Sequence, residues 1–235
     1  MSAPESFRPL QLARPNATLH GIALGERQDF LLLHAGGEHA GVFKPVMKLL
    51  RNAGYGAAAF DQRGHGKSQD LDPVPLDRLA DDAAAMIDGM DRPIVVGASL
   101  GGCVLMTALA QPARQARVRA LVLLDIIPDP DPEPVRAYLQ AAMGDGQRKP
   151  LVDHILSLAP ELRRACQQLD VPVLLVRAGL GTPLTDESAQ RFQALVPQSE
   201  IVIIEDAAHL VAQTSPRALC DVLIAFAARL GGHEE

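Results

Sequence analysis

The chain has 235 residues, 48% hydrophobic and 21% charged, a balance that predicts a folded globular protein with one substantial core. A formal net charge of -6, with lysines and arginines scattered, leaves no basic footprint, and nucleic acid is not expected as a partner. Cys103, Cys166 and Cys220 lie far apart without a Cys-x-x-Cys pair, which argues against a disulfide framework or a zinc site and points to a reducing compartment.

The first residues carry no basic segment followed by an apolar run, and no apolar stretch approaches the ~20 residues needed to span a bilayer. A cytoplasmic protein with no membrane contact is the expectation.

In chain order, residues 17–24 read as a strand, and Gly25-Glu26-Arg27 leads into a second over residues 29–34, so the sheet is expected to open with an antiparallel pair. Further buried strands are read over residues 56–60, 93–96, 119–124, 171–176 and 200–204, all nearly continuous apolar runs. Between them, residues 42–53, 76–90, 100–111, 186–195 and 216–230 have helical spacing, with stops at Gly54, Pro112 and Gly231. This alternation predicts an α/β fold with a mostly parallel sheet covered by helices on both faces.

The alternation breaks over residues 126–169. There Pro128-Asp129-Pro130-Asp131-Pro132-Glu133-Pro134 predicts extended, stiff backbone, followed by two short helices over residues 135–143 and 151–165. The reading is a core of residues 1–125 and 170–235 with a lid inserted at 126–169. The last four residues are expected to fray.

Gly97-Ala98-Ser99-Leu100-Gly101 follows an apolar strand and opens a helix, the context in which Gly-x-Ser-x-Gly marks a nucleophilic serine on a tight turn. The plainer alternative is a serine that merely caps the helix. Gly66-Lys67-Ser68 does not continue a phosphate-binding loop, because the glycine such a loop needs five positions earlier is Asp61.

From residue 17 to 230 the chain resembles the α/β-hydrolase superfamily, in particular its small bacterial members with a compact lid. The resemblance rests on Leu33-His34-Ala35-Gly36-Gly37, on Asp61-Gln62-Arg63-Gly64-His65-Gly66-Lys67-Ser68, on the serine turn, and on Ala207-Ala208-His209. It implies an eight-stranded-type sheet, Ser99 as nucleophile and His209 as general base. It further implies an oxyanion hole from the Gly36 N–H, with Leu100 N–H beside the nucleophile as second donor, although Ala35 replaces the family's usual glycine. His34 is read as structural, and Asp61 and Arg63 as pins of their loop near the rim of the site.

The acid departs from the family pattern. Thr182 stands where most members carry an Asp, and threonine cannot match an imidazolium with a full negative charge. Asp125, at the end of the strand after the nucleophile helix, is the stronger candidate, since some superfamily members carry their acid there. Asp186 is the second, although Thr185-Asp186-Glu187 also reads as a helix cap, and Asp206 lies close to His209 in sequence.

The expectation is a serine hydrolase that cleaves a small to medium, largely apolar ester-like substrate, a carboxylester, lactone or thioester, through an acyl-enzyme without cofactor or metal. With six Phe, two Tyr and no Trp, the pocket walls must be mostly aliphatic. Two alternatives stay open. One is cofactor-independent oxygenase, perhydrolase or carbon–carbon hydrolase chemistry on the same residues, and the other is a ligand-binding homologue without turnover. Oligomeric state is not encoded in any pattern of the sequence.

Overall fold

The structure of the protein, a computed structural model, describes residues 6–70, 74–143 and 148–231. Residues 232–235, expected to fray, lie outside the described residues.

The chain begins with a hairpin, β1 (Arg8–Arg14) and β2 (Ala17–Leu24), turned by Asn16 at a φ of 60°. Next come β3 (Phe30–Leu33), a 3-10 turn at Ala40–Phe43, α1 (Lys44–Asn52), β4 (Ala57–Phe60) and α2 (Leu76–Asp88). The centre of the chain supplies β5 (Ile94–Ala98), α3 (Leu100–Leu109), the single turn α4 (Pro112–Gln115) and β6 (Ala120–Leu124). Three helices, α5 (Pro132–Met143), α6 (Arg148–Ser157) and α7 (Ala159–Gln167), separate β6 from β7 (Val173–Ala178). The chain closes with α8 (Asp186–Leu195), β8 (Ser199–Ile204), the short α9 (Val211–Thr214) and α10 (Pro216–Arg229).

The eight strands form one sheet in the order β1-β2-β4-β3-β5-β6-β7-β8, parallel from β4 to β8. This is the fold of the α/β-hydrolases. The sheet does open with antiparallel pairing, but β2 pairs with β1 and β4 and not with β3. β1 itself was not expected: it is an edge strand with half or more of its residues exposed, and a proline among them, so no apolar run announces it.

Successive residues of the central strands face opposite layers, as the strand period requires. Leu31, Leu33, Val95, Leu121 and Leu123 pack with α2 and α3, whereas Phe30, Leu32, Val96, Val122 and Leu124 pack with α1 and α10. Strand order reverses at β3 and β5, whose carboxyl ends therefore flank the crevice where ligands bind in open sheets of this kind.

The segment between β6 and β7 differs from its sequence reading in two ways. Pro132 and Pro134 are not extended but form the first turn of α5, where a missing N–H costs the helix nothing. The helix expected over 151–165 is two helices, broken at Leu158 because Pro160 sits in the first turn of α7. Val135 and Leu139 of α5 pack with Ile155 and Leu156 of α6 in a small cluster of their own, while Leu162 and Cys166 of α7 join the main core. Among the described residues no helix is long and apolar enough to cross a membrane.

Candidate active site

β5 ends at Ala98 and α3 begins at Leu100, so Ser99 makes the whole turn alone, at φ 46° and ψ -111°. Such a conformation costs a non-glycine residue about 1–3 kcal/mol and persists only where the surroundings impose it. The surroundings are glycines. A Cβ on Gly97 would lie 2.5 Å from Gly101 backbone, and one on Gly101 would lie 2.4 Å from the Leu33 carbonyl oxygen. The helix is thus pressed onto β5 and β3, and the Gly101 N–H donates to His34 O at 3.2 Å. The Ser99 side chain makes no capping bond to α3, which removes the helix-cap explanation of this serine.

Asp125 follows β6 and lies opposite Ser99 across the sheet, since Ala98 pairs with Leu124 and the Ser99 N–H donates to Leu124 O at 3.4 Å. Its carboxylate is fully buried and accepts three donors. The Ala178 N–H is 2.9 Å from Oδ1, the Thr182 hydroxyl is 2.8 and 2.7 Å from Oδ1 and Oδ2, and His209 Nδ1 is 2.8 Å from Oδ2. Thr182 in turn accepts the Leu184 N–H at 3.0 Å.

His209 stands in the loop between β8 and α9, which is tied to the end of β7 by the Leu180 N–H on Ala207 O at 2.8 Å. An Nδ1–H directed at Asp125 leaves Nε2 as the basic nitrogen. Of the other candidate acids, Asp186 is at the start of α8 and pairs with Arg177, and Asp206 is exposed. Neither is bonded to His209.

Gly36 lies beside the serine turn, the position of a Cβ on it falling 3.8 Å from the Leu100 side chain. Among the described residues neither the Gly36 nor the Leu100 N–H has a hydrogen-bond partner. The loop behind them is tied down by hydrogen bonds. His34, fully buried, donates from Nδ1 to Ala35 O at 2.8 Å and accepts the Gln62 N–H on Nε2 at 3.0 Å. Burial lowers its pKa from 6.5 to about 4, so the ring is neutral. Asp61 holds the same region by accepting the Ala40 and Lys67 N–H groups at 2.7 and 2.8 Å. Arg63 faces away into a buried pair with Asp82, as a structural strut.

Two residues at the site carried no recognisable sequence signal. Glu38 accepts the Ala35 N–H at 3.1 Å and the Gln213 side-chain amide, and burial raises its pKa against the opposing pull of that N–H and of His209 and His39. Tyr138 of α5 has its ring centroid 4.7 Å from that of His209. The first directly follows the Gly36-Gly37 pair, and the second is one of two tyrosines in the chain; neither fact alone points to the site. Two surface hollows of about 290 and 310 Å³ lie elsewhere, one between α3 and α7 and one at the opposite sheet end around Asp29 and Gly56. Among the described residues no group of three or more His, Cys, Asp or Glu is placed to hold a metal ion.

Comparison with known proteins bears on the family and the fold. A family model described as "Serine aminopeptidase, S33" matches residues 26–144, about half of the chain. A pimeloyl-[acyl-carrier protein] methyl ester esterase of Xanthomonas campestris pv. campestris is 36% identical over 110 residues, which is 47% of this chain and 41% of that protein. The chain spans less than half the length of the curated relatives it matches. Among solved structures, an E-2-(acetamidomethylene)succinate hydrolase superposes with a TM-score of 0.76 at 22% identity, over 95% of this chain and 100% of that one. A thioesterase domain from the curacin biosynthetic pathway does so with a TM-score of 0.75 at 16% identity, over 94% and 100%. At these identities the superpositions speak for the fold alone. With the family model covering half its length and the sheet order of the superfamily beneath the serine turn, the chain belongs to the serine aminopeptidase family of α/β-hydrolases.

Proposed function

We propose that this protein is a serine hydrolase acting on a small to medium, largely apolar ester-like substrate through an acyl-enzyme. The observation that carries the reading is the 2.8 Å bond from His209 to Asp125, made beside the strand end from which Ser99 projects. In this mechanism His209 Nε2 takes the Ser99 proton, and Oγ attacks the carbonyl carbon. The Gly36 and Leu100 N–H groups receive the oxyanion, each worth on the order of 3 kcal/mol in the transition state. Asp125 holds the imidazole in the required tautomer and balances its charge once protonated. The proton then passes to the leaving group, and water repeats the cycle on the acyl-enzyme.

α5 and α6, with a packing cluster of their own above the strand ends, fit the role of lid in this proposal. An ester substrate is supported by the relative named as a methyl ester esterase. Three unpaired, buried cysteines fit a reducing compartment, as in the cytoplasm. The test is a fluorophosphonate probe followed by peptide mass spectrometry. Label on Ser99, lost in Ser99→Ala, is expected; a folded protein that takes no label there is not a serine hydrolase and would fit the ligand-binding alternative.

The position of the acid at the end of β6 favours a second reading, cofactor-independent oxygen chemistry with the same residues. Hydrolysis of nitrophenyl esters at undiminished rate under nitrogen separates the first reading from the second.

A further inference from the structure

A lid residue outside the acyl-transfer residues lies in contact with His209. The rings of Tyr138 and His209 are 4.7 Å apart between centroids, with their planes inclined at 59°. Val135 and Leu139, on either side of it along α5, are buried with Ile155 and Leu156 of α6, and Tyr138 packs on the same cluster while its ring reaches His209. The phenol is half-buried, and burial first, then the charges of Asp125 and Glu38, raise its pKa, so it stays neutral.

The geometry has a consequence for the step in which the leaving group departs. The bond from Ser99 Oγ to the acyl carbon is in place, the bond from that carbon to the leaving oxygen breaks, and the proton on His209 Nε2 moves to the departing oxygen. The imidazole therefore touches the leaving group, and a ring in contact with the imidazole borders the same space. We propose that Tyr138 is the residue that selects the leaving group, its ring forming the wall on which a planar, uncharged alcohol of the aryl or enol type stacks as it departs. This rests on the acyl-enzyme reading above. Aromatic stacking of this kind is worth roughly 3- to 10-fold in rate. The Glu38 carboxyl, close enough to His209 and to Tyr138 to act on both by charge, opposes a leaving group that carries an anion.

The test uses two butyrate esters, one phenyl and one aliphatic, the aliphatic alcohol fluorinated to match phenol in acidity. The ratio of their kcat/KM values is measured for the wild type, Tyr138→Phe and Tyr138→Leu. Both esters form the same butyryl-enzyme, so the deacylation rate from burst kinetics is an internal control. Tyr138→Phe is expected to keep the ratio, and Tyr138→Leu to lower it about 3- to 10-fold with deacylation unchanged. An unchanged ratio in Tyr138→Leu overturns the proposal. So does a fall in deacylation equal to the fall with both esters, which is the mark of a ring that merely props His209. A wild type that forms no butyryl-enzyme overturns the reading beneath, and is recognised before any variant is compared.

Discussion

The Thr182 hydroxyl donates to the Asp125 carboxylate at 2.7 to 2.8 Å across the ends of β6 and β7. The position where related hydrolases carry their acid thus holds a donor for an acid one strand away. Thr182 and the Ala178 N–H fix the carboxylate so that its Oδ2 faces His209.

Asp125→Asn is therefore expected to lower kcat on a nitrophenyl ester by on the order of 10³- to 10⁴-fold, because the wrong tautomer of His209 is then favoured. Thr182→Ala removes one of three donors and is expected to cost about tenfold, the worth of a single charged hydrogen bond. Steady-state kinetics of both variants measure the difference. Equal, small losses would take Asp125 out of the mechanism.

Ser99 and His209 stand out as candidates in the sequence because each sits beyond a strand end in a fixed chain order, which a linear pattern records, and the structure places them beyond β5 and β8. Asp125 could only be ranked above Asp186, since the choice depends on which carboxylate crosses to β8, a distance and not a spacing. Glu38 and Tyr138 were invisible for the same reason. In the fold, the apolar central strands announced themselves, whereas β1 hides in alternating exposure at an edge. The four-residue helices α4 and α9 are too short to show a period.

The elbow glycines give a second expectation. Gly97→Ala and Gly101→Ala each place a methyl group within 2.5 Å of backbone, and each should destabilise the fold by about 2–3 kcal/mol. Gly54→Ala is the control. Gly54 has φ +90° but open space around it, so about 1 kcal/mol of backbone cost is expected alone. Urea midpoints rank the three.

His34 makes stability depend on pH. Its pKa falls from 6.5 to about 4 on folding, so below pH 6.5 the unfolded chain binds a proton that the folded one refuses. Stability is fully present above pH 6.5 and is lost progressively as pH falls toward 4, by at most about 3 kcal/mol. Urea titrations at pH 7, 6, 5 and 4 should show this decline. His34→Gln should be less stable at pH 7 but show a flatter decline, and an equal slope in the variant would assign the effect elsewhere.

The Arg63–Asp82 pair is the other buried device. The Arg63 and Asp82 side chains are 1% and 3% exposed, bonded at 2.7 Å, with Arg14 sharing Asp82 at 2.9 Å. Asp82→Ala leaves a buried guanidinium with Asp70 as its remaining acidic partner, at 3.5 Å, and should cost about 3–5 kcal/mol. Thermal denaturation tests this. Arg14→Ala, at the exposed end of the same group, should cost much less.

Ser99 and Asp125 share a backbone property: each has a φ near +50°, immediately beyond the ends of neighbouring strands. Neither conformation would hold in a free loop, so both depend on β5 and β6 keeping their register. Loosening of the strand ends is therefore expected to displace the two residues before the layers beneath separate. On heating, catalysis should fade while the circular dichroism of the sheet and helices is still intact, and cooling from that interval should return full activity.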